Sequence, residues 1–497
     1  MSTSATAPAT AAEPRPNHQI TFAVLAAGVA AYALLQSLVT PVLTTIQQQL
    51  HTSQSTATWA LTGYLLSASV FTPIMGRIGD MRGKKRVFIA TLGALAVGSL
   101  LAAVATNIGL MIVARVIQGI GGGVLPLSFG IVRDEFPREK VAGAVGVIAS
   151  LAAVGGGLGI VLAGPIVDSL GYAWLFWLPM ILTIAAAIAA VLFVPESPIR
   201  TPGRLSWAPA LLLSAWLVAL LVPLSEATEW GWASGKVIGL LVAAAVLAAV
   251  WILAENRAAT PLIDMRMMRQ PAVWTSNLVA LLIGMGMYAT FAFLPEFVQT
   301  PSSAGYGFSA SISQSGLLLL PASVTMFPVG MYAGRMAAKV GGKALIVAGC
   351  LIGVVSMAML AFAHHQKWEL YLAAAIMGVA FGLAFSAMSA LIVNAVPPEQ
   401  TGVASGMNAN IRTIGGSIGA ALMASIVTSH LESSGLPKES GYTVGFAMLA
   451  ACLVLAAFAG LLIPASVRGP RPPRDEEPDH AELAVLAGGT VTGDKSE

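Results

Sequence analysis

The chain has 497 residues, 56% of them hydrophobic and only 10% charged, against roughly 25% charged in an ordinary soluble domain. So few charges cannot cover a water-facing surface, and a net charge of +3 is too small for a nucleic-acid-binding face. Apolar runs longer than about 18 residues recur almost from end to end, the mark of a polytopic membrane protein.

In chain order, residues 1–19 are small and polar and lack the basic start and cleavage site of a secretory signal. They read as a disordered cytoplasmic tail. Apolar windows then predict spans at 20–43, 55–76, 87–106, 108–130, 142–165 and 173–194, two more at 207–225 and 237–254, and six at 272–295, 312–333, 344–363, 369–394, 402–428 and 441–464. The segments are unbroken and rich in Ala, Leu and Gly, whereas barrel strands are short and alternate in polarity. The expected class is therefore an all-α polytopic membrane protein with fourteen transmembrane helices. Residues 466–497 turn polar and proline-rich and read as a disordered tail. Cys350 and Cys452 lie inside apolar runs without ligand spacing and read as packing residues.

Lys and Arg concentrate after the even-numbered spans. Counting both tails, 21 of the 26 basic residues fall on one side, and only Lys236, Lys367 and Lys438 fall opposite. Both termini are expected on the cytoplasmic side of the cell membrane. Arg115 and Arg412 remain within spans.

An internal repeat divides the chain. Gly76-Arg-Ile-Gly-Asp80-Met-Arg-Gly83-Lys-Lys85 matches Gly334-Arg-Met-Ala-Ala338-Lys-Val-Gly341-Gly-Lys343, 258 residues on. Pro137-Arg-Glu139 matches Pro397-Pro-Glu399, and Gly155-Gly-Gly-Leu-Gly159 matches Gly415-Gly-Ser-Ile-Gly419, each 260 residues on. This predicts a six-helix bundle over 20–194, an inserted helix pair with linkers over 195–270, and a second six-helix bundle over 271–465. Halves repeated in parallel are a signature of alternating-access transporters, whose bundles rock about a site between them.

With these residues the sequence resembles the major facilitator superfamily, in its fourteen-span branch of drug:proton antiporters, over roughly residues 20–465. The segment Gly76-x-x-x-Asp80-x-x-Gly83-x-Lys85-Arg86 is similar to the superfamily's loop motif, with Met81 where a basic residue usually follows the Asp and Arg82 one place later. The resemblance implies a conformational latch built from Gly76, Asp80, Arg82, Gly83, Lys85 and Arg86. Asp80 is its centre, held by an arginine or a helix N-terminus of the other half. Membrane orientation alone accounts for the charge of Lys84, Lys85 and Arg86, and Ala338 leaves the second copy without the acid.

Leu110-x4-Arg115-x-x-Gln118-Gly119 resembles the family motif whose membrane-embedded arginine is linked to proton transfer. Gln118, three residues on, shares its helical face. Gly155, Gly159, Gly164 and Pro165 resemble the antiporter glycine motif, and with Gly415 and Gly419 they are expected to serve close helix packing. Ala173-Trp174-Leu-Phe176, Pro261-Leu-Ile-Asp264 and Arg412-x-x-Gly415-Gly also look like the drug-exporter branch.

One departure stands out. The branch usually carries an acid in its first span, and here Leu35-Gln36-Ser37-Leu38 places Gln36 there. Asp168 and Glu296, near the outer face, are with Arg115 the remaining proton-coupling candidates. Gln36, Thr40, Tyr64, Gln118, Trp274, Asn277, Tyr288, Phe291, Gln314 and Asn408 are candidates for a substrate cavity. The resemblance implies export of small organic, largely hydrophobic or cationic compounds in exchange for protons, with a metabolite exporter or uncoupled facilitator as the alternative. The expected partners are a small-molecule substrate, protons and the lipid bilayer, with neither nucleic acid nor ATP, and the expected state is a monomer. Gly341-Gly-Lys343-Ala344 lacks the glycine spacing and hydroxyl of a phosphate loop. His364 and His365 sit at an outer loop beside Gln366 and Lys367 without carboxylate companions, so neither an enzyme, a cofactor nor a metal site is expected.

Overall fold

The structure, a computed structural model, describes residues 18–197, 206–258, 260–429 and 436–464. The C-terminal tail, nearly all of the N-terminal one, and the side chains of Thr40 and Ala338 lie outside the described residues.

Those residues form fourteen long helices and no strand. The first six are α1 (His18–Leu38), α2 (Gln54–Arg82), α3 (Lys84–Ala103), α4 (Ile108–Glu135), α5 (Arg138–Leu170) and α6 (Trp174–Phe193). The next two are α7 (Trp207–Trp230) and α8 (Gly235–Arg257). The last six are α9 (Pro271–Gln299), α10 (Ile312–Val340), α11 (Gly342–Phe362), α12 (Lys367–Ala395), α13 (Thr401–Thr428) and α14 (Glu439–Leu461). Thirteen of them are long and apolar enough to cross a membrane. The fourteenth, α2, is equally long but is diluted by Ser, Thr, Arg77 and Asp80.

Helix ends differ from the apolar windows where charge meets a glycine. α2 continues past residue 76 to Arg82, and α3 begins at Lys84. A charged last turn can remain helical beyond the apolar layer, and the break is left to one residue, Gly83, with φ of 108°. The repeat reproduces this at Gly341, φ 87°, between α10 and α11. The first span is shorter than expected: after Leu38, Pro41 lies in a 3-10 turn (Thr40–Val42), followed by a short helix, Leu43–Gln49. Several helices that start at the opposite end carry cap residues instead. Ser53 accepts from the Thr56 N–H at 3.1 Å and Asn107 from the Leu110 N–H at 2.9 Å.

Packing follows the repeat. α5 runs along α1 in its own half and crosses onto α10 and α12, while α13 runs along α9 and crosses onto α2 and α4. The glycines permit both approaches. A side chain at Gly155 would meet Ala33 of α1 at 2.6 Å, and one at Gly419 would meet the Met285 carbonyl of α9 at 2.5 Å. Gly159 abuts Ser37, Gly415 abuts Leu281, and Gly164, one residue before Pro165, abuts Ser313 of α10. α7 packs against α2 and α13, and α8 packs against α7. Cys350 and Cys452 are buried and free.

Candidate functional site

Where the two halves meet at the end rich in basic residues, α2 and α13 touch backbone to backbone. A Cβ on Gly76 would lie 2.5 Å from the Gly402 carbonyl oxygen. One turn on, the buried Asp80 carboxylate accepts from the N–H groups of Gly402 (3.3 Å) and Val403 (3.1 Å), the first turn of α13. Such a terminus offers unpaired N–H donors and a partial positive charge. The repeat-related contact is Gly334 of α10 against Gly143 of α5, where a Cβ would come within 2.6 Å of the Gly143 Cα.

Lys84 is fully buried between two acids, 3.7 Å from Asp80 and 2.7 Å from Asp134. Its place is thus inside the charge network, which orientation alone would not require. Lys85 donates to the Val191 carbonyl at 3.0 Å, and exposed Arg86 lies 3.3 Å from Glu196; both contacts stay within the first half. Arg82 is exposed. Arg133, which sequence reasoning passed over as one more basic residue, crosses between halves: it donates to the Val393 carbonyl and to Thr401 Oγ1 (2.8 Å).

Deeper in the bundle, Arg115 is fully buried. Its Nε donates to the Ala60 carbonyl (3.1 Å), its Nη1 to Gln118 Oε1 (2.7 Å), and its guanidinium stacks 4.3 Å over the Tyr64 ring. Gln118 passes the network to Ser99 at 3.1 Å. Tyr64 adjoins Tyr32 of α1, Tyr32 adjoins Tyr288 of α9, and Tyr288 adjoins Arg412, whose guanidinium lies 4.1 Å over Phe385. A row of tyrosines therefore links an arginine of each half. Gln36 and Phe291 are half-buried on the same two helices, α1 and α9. Tyr32 had no sequence signal beyond its aromatic type, whereas Arg412 was marked by being a charge within a span.

The other candidates are dispersed. Asn277 accepts from Asn408 at 2.9 Å in a buried α9–α13 pair, and Asn408 borders a small void with Arg412 and Phe129. Trp274 is 43% exposed. Gln314 is exposed and closes a capping box with Ser311 at the start of α10. Asp168 is exposed near the end of α5. Glu296 accepts from the Tyr442 hydroxyl at 3.0 Å. His364 does gain a carboxylate in space, with Nε2 2.8 Å from Glu439 Oε1, a contact between residues 75 positions apart. A groove of about 820 Å³ between α1, α5 and α6 is lined by Ala, Leu, Val and Ile almost throughout and holds none of the polar cavity candidates.

Comparison with known proteins bears on these observations. The family profile of the Major Facilitator Superfamily matches residues 25–420. The multidrug resistance protein B homolog of Mycobacterium tuberculosis is 29% identical over 396 residues, 77% of this chain and 71% of that protein. The multidrug transporter protein MdtP of Bacillus subtilis is 27% identical over 382 residues, 76% of this chain and 69% of that protein. The crystal structure of the human organic anion transporter superposes with a TM-score of 0.64 at 16% identity, over 90% of this chain and 100% of that one, a likeness of fold alone.

Proposed function

This chain belongs to the Major Facilitator Superfamily, and on that premise we propose that it exports small organic, largely hydrophobic compounds across the cell membrane by alternating access. Both termini then lie in the cytoplasm, and the basic end, closed here, is the cytoplasmic gate. The observation that carries the reading is the seam: glycines of both repeats bring α2 onto α13 and α10 onto α5 at one end of a row of polar aromatic residues. Relatives named for multidrug resistance favour drugs among the substrates.

In this reading Gly76, Asp80 and Gly83 form the latch, with Lys84 and Arg133 supporting it, and Tyr64, Gln36, Tyr288 and Phe291 line the substrate path. The cationic part of the sequence expectation finds no carboxylate among the four residues of the path. Asp80→Asn should impair turnover while leaving insertion intact, since one charge is lost and the fold is kept. Unchanged drug accumulation on overexpression across a broad compound panel would overturn the exporter reading.

Exchange for protons is part of the proposal, with Glu296 and Arg115 as its candidates. Gln36 favours a second reading, a carrier without proton coupling, because an amide cannot titrate. Transport in proteoliposomes that ignores an imposed pH gradient would select it.

A further inference from the structure

Arg115 and Arg412 are the only charged side chains lying more than five residues from the end of a described long helix. Every Asp and Glu of those helices sits within about one turn of a helix end. The interior of the bundle is therefore cationic, with no internal carboxylate to balance it.

Neither arginine is fully satisfied. Arg115 Nη2 and Arg412 Nε are buried without a hydrogen-bond partner. A desolvated cation facing only neutral groups is costly, and an aromatic face recovers part of that cost. Arg115 spends its other donors on Ala60 and Gln118 and is sealed behind Tyr64. Arg412 differs: it stands between Tyr288 and Phe385 and borders the void between α4, α12 and α13, where the two halves meet.

We propose that the transported compounds include amphipathic organic anions, and that Arg412 with the Tyr288 hydroxyl binds the anionic group. This rests on the exporter reading above and adds the sign of the substrate's charge. A guanidinium and a phenol are both donors, and together they suit a carboxylate or sulfonate, while Leu125, Phe129 and Ile392, which line the void beside Arg412, offer apolar groups to the remainder of the molecule. Arg115 acts on the site through Tyr64, as a positioning residue that keeps the potential positive. α1 holds no Asp or Glu, and Gln36 on it is a neutral amide, which leaves that potential unopposed.

The test uses the purified full-length protein and two xanthene dyes of similar size and opposite charge, fluorescein as the anion and rhodamine 6G as the cation. Binding is followed by anisotropy, and transport in proteoliposomes. Fluorescein should bind saturably and be moved, and Arg412→Gln should weaken its binding about tenfold or more, as for loss of a charged hydrogen-bond donor. Tyr288→Phe keeps the ring and should weaken fluorescein several-fold, which covers the case of an Arg412→Gln variant that does not fold. Both variants should weaken fluorescein more than rhodamine 6G, and equal losses for the two dyes would overturn the assignment of the anionic group to this pair.

Rhodamine 6G moved while fluorescein is neither bound nor moved would overturn the inference and leave the exporter reading standing. Fluorescein binding unaffected by both substitutions would overturn it as well. If no compound is moved, the exporter reading fails, and the inference about an exported anion fails with it.

Discussion

The two repeats close the same end of the molecule by unequal means. At α10–α5 the seam is glycine on backbone, Gly334 against Gly143, followed by Gly330 against Ser150. At α2–α13 the same backbone contact, Gly76 against Gly402, is joined by a buried carboxylate on a helix N-terminus and by Lys84 tying Asp80 to Asp134. At the Lys84 position the second repeat has Gly342. Close approach is thus duplicated, while the ionic part of the closure is single. Glycine contact sets where the halves can meet, and a charge in one of them can set how long they stay together.

The largest expected effect breaks this asymmetry at Lys84. Lys84→Met would leave Asp80 and Asp134 buried without their cation, a loss of about 3–5 kcal/mol, read as a large fall in thermal stability and yield. Gly342→Ala should be close to neutral, since its Cβ would find only ordinary contacts beginning at 3.8 Å.

Next come the glycines, for which the two repeats should respond alike. Gly76→Val and Gly334→Val would each force the seam open by overpacking, about 1–3 kcal/mol. Labelling of a cysteine introduced at Ser405, between the halves, by an impermeant maleimide in inverted vesicles should rise in both. A rise in one variant only would show that the two seams are not equivalent.

Asp80→Asn keeps an acceptor but removes the charge at the α13 terminus, about 1–2 kcal/mol. The same labelling should then rise about tenfold, and a wild-type rate would remove the carboxylate from the closure. The smallest change is Arg133→Lys, which gives up one of two cross-half hydrogen bonds, about 1 kcal/mol, and should raise labelling a few-fold.

Opposite this seam, polar pairs stay within the second half: Glu296 with Tyr442, His364 with Glu439, and Tyr306 with the Pro437 carbonyl. There, between α5 and α10, Gly164 against Ser313 and Gly316 against Val161 continue the contact of the halves. No ion pair joins the halves there among the described residues, so the difference between the two ends is one of charge.

Much of the fold was legible in the chain. Apolar windows located all fourteen helices, and three repeated segments in register related the two halves, because a bilayer requires long apolar helices and duplication preserves spacing. Ends were less legible: α2 ran six residues beyond its window, since charged residues outside an apolar run can remain helical. Of the candidate site, the sequence singled out Asp80, Arg115 and Gln118, whose contacts the structure supplies. It did not separate Lys84 from Lys85, two neighbours of one residue type, of which one is fully buried between acids and the other, half-buried, reaches the Val191 carbonyl.

The sequence by itself determined what depends on composition and period: membrane helices, the repeat, a first span without Asp or Glu, and two arginines in apolar surroundings. Only the tertiary structure decided what depends on contacts between distant residues. Asp80 meets a helix that begins more than 300 positions away, and Arg115 and Arg412 become ends of one tyrosine row drawn from α1, α2 and α9. Helix formation in a membrane is local, because each segment satisfies its own backbone. Whether a charge is buried, paired or left without a counter-ion depends on which helices pack beside it.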